Sequence, residues 1–404
     1  VGVDGEGALP CLQHAAQPGQ TLVSEATYHL TLHTVAFEPL GDVAVKGKAD
    51  PVPVYRVLGM LDAPRSSRGL EAHGLVAPLT GRADELAKML AAFHRAERGR
   101  AQAVSLIGEA GVGKTRLLSE YFLTLEGSGH LKSTVVRRAT CSSLGGQTYG
   151  VVAAFFRAAY GVTEDDSLEV AQRKLASGLR ALGGSEDEIS RVAPVLGYVL
   201  GLGSVDVVRH LEPEQLKRQI FLALSTLCER RLQHGPLMLV VEDLHWADAA
   251  SRELLRFLVD RLADRPLMLL VTHRPVLDAD MLVTSRATHT AIHLGPLPAA
   301  DTETLLGAFF VPSSSRLPTA LRELIVRRAG GNPFYLEEIV RGLIAAGTLV
   351  RENGGWTCAA DAGTVDVPPT IQGLLLSRLD RLPTGARRLI QEAGVLGPAF
   401  DLHV

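Results

Sequence analysis

Ala103-Val104-Ser105-Leu106-Ile107-Gly108-Glu109-Ala110-Gly111-Val112-Gly113-Lys114-Thr115 is the stretch on which the reading of this chain turns. A short apolar strand runs into a glycine loop, and Leu117, Leu118, Tyr121, Phe122 and Leu125 then fall on one helical stripe. Gly108 to Thr115 fits GxxxxGK[ST]. In that pattern glycines let successive backbone N–H groups turn toward phosphate oxygens, and the helix N-terminus adds the positive end of its dipole. Gly108, Glu109, Ala110, Gly111, Val112, Gly113 and Arg116 are therefore expected around a nucleoside triphosphate. Lys114 is expected to bring a point charge to its β- and γ-phosphates, and Thr115 a hydroxyl to the magnesium ion it carries.

Working outward, the runs 134–138, 237–241 and 267–272 read as further buried strands separated by helical patterns, which predicts a parallel sheet in a doubly wound α/β fold. Residues 150–233 read as a helical insertion, clearest at Leu216, Ile220, Leu224 and Leu227. Glu242 and Asp243 end the second of these runs. Such a position suits a division of labour, Glu242 toward the metal and Asp243 toward an attacking water. Arg274, at the end of the third run, is expected to sense the γ-phosphate. Asp248 reads as the N-cap of the helix that buries Leu254, Leu255, Leu258 and Leu262, and Trp246 reads as packing. Beyond Gly295, helices are predicted near 301–311, 317–329, 334–346, 370–381 and 385–396, with a hairpin over 348–358 turning at Asn353-Gly354.

At 404 residues the chain is long enough for more than one core. Its 41 basic and 44 acidic side chains leave a net charge of -3, which argues against a polybasic nucleic-acid coat. The arginine pairs at 137–138, 230–231, 327–328 and 387–388 then read as solvated edges. Cys11, Cys141, Cys228 and Cys358 are widely separated and read as reduced thiols of a cytoplasmic protein. No apolar run approaches the roughly 20 residues of a membrane helix. The 13 histidines are expected to organise no transition-metal site, and magnesium is the only ion invoked. Residues 21–58 read as a small α/β piece with strands at 21–24 and 52–58 and a turn at Lys46-Gly47-Lys48. Residues 62–74, rich in Pro, Arg, Ser and Gly, read as a linker. The start at Val1 and the stop at Val404 suggest a fragment.

Several motifs occur together in order: Gly81-Arg82-x-x-Glu85-Leu86, the phosphate loop, Leu239-Val240-Val241-Glu242-Asp243-Leu244-His245-Trp246-Ala247-Asp248, Thr272-His273-Arg274, and Gly330-Gly331-Asn332-Pro333-Phe334-Tyr335-Leu336-Glu337-Glu338. Over about residues 75–400 the chain resembles a signal-transduction ATPase with numerous domains, the STAND branch of AAA-type P-loop ATPases. The resemblance implies a P-loop NTPase core over 75–294 and a helical lid with a winged-helix region over 295–404. It also implies that ATP is the nucleotide and that Arg82 and Pro333 lie near the adenine. Glu242 stands where many relatives carry Asp. Residues 1–61 are similar to the closing segment of class III nucleotidyl cyclase domains, at Glu25-Ala26-Thr27, Phe37-Glu38-Pro39-Leu40-Gly41 and 45–57. Counting back from Gln17-Pro18-Gly19, that family's transition-state Asn and Arg fall on Gly7 and Cys11, so the remnant is expected to be inert.

The expected function is an ATP-binding, slowly hydrolysing molecular switch whose protein partners or self-association act through flanking domains. Two alternatives are a cyclase regulated by the ATPase module and a winged-helix DNA-binding regulator. Glu337 and Glu338 on the candidate recognition helix, against Arg341 alone, weigh against DNA.

Overall fold

The computed structural model describes residues 20–24, 27–28, 35–43, 52–60, 70, 75, 77–142, 147–163, 166–202, 212–310, 317–352 and 355–359. Leu22–Ser24 (β1), Val35–Val43 (β2) and Val52–Met60 (β3) form an antiparallel sheet of order β1-β3-β2. The middle strand of the three in sequence was not anticipated. Its Pro39 and Gly41 accompany a register shift against β3, and both depress the local strand signal. Tyr28 stacks on Tyr55 at 3.9 Å and meets Phe37 edge-on, so aromatic packing braces this small sheet.

Described residues from Gly81 to Leu297 make up one compact unit, and those before and after it make up another. In the first, Ala83–Glu97 (α1) leads to Gln102–Gly108 (β4), Lys114–Gly127 (α2) and Val135–Thr140 (β5). The insertion consists of Gly150–Tyr160 (α3), Leu168–Ala181 (α4), Glu186–Val199 (α5) and Pro213–Leu232 (α6). Then come Leu237–Glu242 (β6), Ala249–Arg261 (α7), Leu267–His273 (β7) and Thr288–Leu294 (β8). The five strands pair in parallel in the order β5-β6-β7-β4-β8. This is the doubly wound P-loop-type α/β fold that the sequence predicts.

Burial follows strand position. Every residue of β4 and β7 is buried, as is β6 up to Val241, whereas the edge strands β5 and β8 are only partly covered. One apolar cluster joins β6 and β7 to α3 through α7, with Leu175, Leu196, Leu224 and Leu254 fully enclosed. Burying side chains of this size contributes about 1.5–3 kcal/mol each. That contribution holds the insertion on the sheet.

In the second unit, Ala299–Phe309 (α8), Thr319–Ala329 (α9) and Pro333–Ala345 (α10) precede an antiparallel pair, Leu349–Glu352 (β9) and Gly355–Cys358 (β10). Asn332 caps α10 by accepting from the Tyr335 N–H, with Pro333 at the first turn, where its missing N–H costs nothing. The predicted turns at 46–48 and 353–354, the helices at 370–381 and 385–396, and Gly7 and Cys11 lie outside the described residues. So does the 62–74 stretch, except for Leu70. No helix among the described residues is long and apolar enough to cross a membrane.

Candidate nucleotide site

Because the sheet is parallel, the loops after β4, β6 and β7 leave the same edge, and β7 lies between the other two. Neighbouring strands are about 4.8 Å apart, so the ends of β4 and β6 flank a gap of roughly 10 Å. The Gly108–Thr115 loop, Glu242 with Asp243, and Arg274 lie at or just after the ends of these three strands, on that edge.

The loop's conformation is set by its glycines. Gly111 and Gly113 have φ of 82° and 99°, in the left-handed region that L side chains resist. Gly108 is required for a different reason: a Cβ there would lie 2.8 Å from the Leu294 carbonyl oxygen and 2.8 Å from Val112 Cγ2. Val112 is buried, whereas Glu109 and Ala110 are exposed. Lys114 donates from Nζ to the carbonyls of Gly108 (2.7 Å) and Glu109 (2.9 Å), so its ammonium lies across the loop. Burial lowers its pKa, Asp243 opposes that, and Arg274 adds to it, so these two strand-end groups share the ammonium's field. Thr115, the second residue of α2, is exposed, and Arg116 pairs with Glu120 one turn on at 3.5 Å.

Glu242 is half-buried, and desolvation raises its carboxyl pKa. Arg138 on the adjacent strand pulls the value down and Asp243 pushes it further up. Arg138 is no solvated edge: its guanidinium sits 3.8 Å over the Phe122 ring. Nor is Arg230, which pairs with Glu188 and donates to the Gly183 carbonyl at 2.7 Å. Arg387 and Arg388 lie outside the described residues.

Asp243 adopts the left-handed conformation (φ 56°), and its N–H donates to Thr272 Oγ1 at 3.0 Å. A buried hydroxyl on β7 thereby takes up the pairing just beyond Val241↔Val271, the last register pair of the β6–β7 ladder. In the Thr272-His273-Arg274 motif the sequence assigns a role to Arg274 alone, whereas the structure gives Thr272 the Asp243 N–H. Asp248 caps α7 as expected, accepting from the Ser251 N–H at 2.8 Å. It also takes the N–H groups of Tyr149 (3.0 Å) and Gly150 (3.2 Å), which ties the insertion to this edge. Trp246 is 44% exposed, contrary to the expected packing role, because the 3-10 turn Leu244–Trp246 directs Leu244 inward instead.

Arg82 is buried. Its guanidinium bonds the Gly295 carbonyl and Glu85 (3.2 Å), and reaches the Val112 carbonyl at 3.5 Å. It therefore touches the phosphate loop itself. Pro333 belongs to the other unit. Cys141 and Cys228 are free thiols, with pKa values pushed up by burial to about 11 and about 12, so both stay protonated near neutrality.

Residues 78–271 match the family model described as an AAA ATPase domain. The matched stretch includes the Gly108–Thr115 loop, Glu242 and Asp243, and ends one residue short of Thr272. An uncharacterized protein of Rhizobium meliloti (strain 1021) is 27% identical over 412 residues, which cover 97% of this chain. The chain spans 36% of that relative's length. Similar solved structures include the Aeropyrum pernix ORC1 protein in complex with DNA, at 16% identity and a TM-score of 0.40, covering 81% of this chain and 75% of that one. Another is a STAND protein with a tetratricopeptide repeat sensor from Pyrococcus horikoshii, at 13% identity and a TM-score of 0.36, covering 76% and 34%.

Proposed function

We propose that the chain is the ATP-binding and slowly hydrolysing switch module of a signal-transduction ATPase. The observation that carries this reading is the convergence of Lys114, Asp243 and Arg274 on one edge of the sheet, with the Gly108–Thr115 loop among them. Two carbonyls now share the Lys114 ammonium, which could exchange them for β- and γ-phosphate oxygens, a stronger charge-assisted pairing. Backbone N–H groups of Glu109 through Arg116 would take up the remaining phosphate oxygens. Arg82 would hold the loop from behind.

The donor set also fits magnesium. Glu242 is a carboxyl whose charge burial resists and a nearby cation would restore, and the Thr115 hydroxyl is the matching neutral oxygen on the loop side. Bound between them, the ion would neutralise triphosphate charge. Asp243 would accept a hydrogen bond from the attacking water and align it, while Arg274 would contact the γ-phosphate. Hydrolysis then removes the contacts that Arg274 and Lys114 make with that phosphate. A coupling of about 1–3 kcal/mol is enough to bias two arrangements, and a few charge-assisted bonds can supply it. In this reading residues 75–294 are the core, 295–404 the lid and winged-helix region, 62–74 a linker, and 1–61 an inert cyclase-like remnant.

Calorimetry with MgATP on purified protein, beside Lys114→Ala, tests the reading. The expected result is binding and slow phosphate release by the parent, and loss of binding by the variant with its circular dichroism intact. A well-folded parent that gives no binding heat with any purine triphosphate would falsify it.

A further inference from the structure

Beyond the C-terminus of α2, away from the phosphate loop, three side chains from two stretches of sequence converge. His94 and Glu97 lie one turn apart near the end of α1, and His130 opens the 3-10 turn His130–Lys132. His94 Nδ1 is 3.2 Å from Glu97 Oε2, and His130 Nδ1 is 2.9 Å from Oε1 of the same carboxylate. One ligating atom from each of the three lies within 4.8 Å of the others. Phe93 is buried and meets both imidazoles edge-on, backing the cluster with a fixed apolar wall. The side chains keep 46%, 23% and 32% of their surface for His94, Glu97 and His130, which leaves a path for an ion.

Tetrahedral ligands held at about 2.0–2.1 Å from zinc stand roughly 3.3 Å apart. The two imidazoles meet different oxygens of Glu97, so with either oxygen as the ligand one spacing is already close to that value, and the others, within 4.8 Å, need a modest closing of the rings. We propose that His94, Glu97 and His130 form a site for a borderline divalent transition ion of the zinc class, with water as the fourth ligand. Two imidazole nitrogens and one carboxylate oxygen suit zinc and its neighbours and disfavour magnesium, which takes oxygen ligands. With an ion bound, each neutral ring would carry its proton on Nε2 and offer the Nδ1 lone pair. The ion would tie the end of α1 to the segment that follows α2. None of the three residues belongs to the proposed phosphate site, so either reading can fail while the other stands.

The test is a cobalt(II) titration of the full chain, stripped with chelator and dialysed, followed by visible absorption of the four-coordinate ion. The expected result is saturation at one equivalent, displacement by zinc and none by millimolar magnesium. His94→Gln, His130→Ala and Glu97→Gln should each weaken binding at least about tenfold, the lower end for losing even a group that merely orients a ligand. MgATP binding and circular dichroism should persist in His94→Gln, which keeps its place on α1 and carries the test should His130→Ala fail to fold. Absence of four-coordinate absorption in folded parent, or undiminished affinity in the folded histidine variants, overturns the proposal.

Discussion

Asp243 combines the strain and the chemistry of the proposed site in one residue. Among the described residues it and Tyr149 are the non-glycine positions with positive φ, and Asp tolerates that region better than most side chains. The backbone is held there by the Thr272 hydroxyl, while the carboxylate stays 46% exposed and 4.0 Å from His245 Nδ1. Asn is nearly isosteric and equally at home with this φ, so Asp243→Asn should fold normally and bind ATP as the parent does. Turnover should fall by about 10²–10⁴, the range for a positioned proton acceptor. Phosphate release measured at saturating ATP checks this, and undiminished turnover would move the water-aligning role to Glu242. Thr272→Val removes only the oxygen that accepts the Asp243 N–H. It should cost about 1 kcal/mol in a denaturant melt and lower turnover more than affinity.

At the scale of elements, the loop's glycines make separable demands. Gly108→Ala forces a methyl group against a backbone carbonyl and the Val112 side chain, an overpacking worth about 1–3 kcal/mol. Gly113→Ala meets no atom within 4 Å, so its cost is the left-handed backbone alone, about 1–2 kcal/mol. Repacking Val112→Ala should therefore rescue part of the first and none of the second, a comparison urea melts of the double variants can make. The strands at 102–108, 237–242 and 267–273 were legible because a strand covered on both faces must be apolar throughout. β8 was not: Thr288-His289-Thr290-Ala291-Ile292-His293-Leu294 lies at a sheet edge, where alternate residues meet solvent and the apolar run is broken. Its His289 and His293 have a spacing that would pair imidazoles on a helix. On a strand they stand about 13 Å apart. The cluster of His94, Glu97 and His130 was hidden for a related reason, since packing brings His130 33 residues along the chain to a pair on α1. Arg138 likewise reads as charged surface until the neighbouring α2 places Phe122 beneath it.

Across the whole molecule, buried imidazoles make stability depend on pH in a direction that can be worked out. His273 is fully buried on β7. Burial lowers its pKa below 6.5, its bond to the Arg274 carbonyl opposes that, and Lys114 and His293 add to it. On β8, burial likewise lowers His289, with Asp280 opposing and His273 adding, and its Nε2 lies 2.9 Å from Ser105 Oγ. Between each lowered value and 6.5, the unfolded chain binds a proton that the folded chain refuses. Their contribution is therefore complete above about pH 6.5 and is lost as pH falls through 6.5 toward the folded values. Denaturant midpoints should stay flat from pH 8 to 7 and decline from 6.5 to 5.5, a window above the range of ordinary carboxylates, while the raised Glu242 carboxyl acts in the opposite direction. His289→Gln, which keeps a polar partner for Ser105, should flatten that decline. A slope unchanged in this variant would mean that the protons are taken up elsewhere.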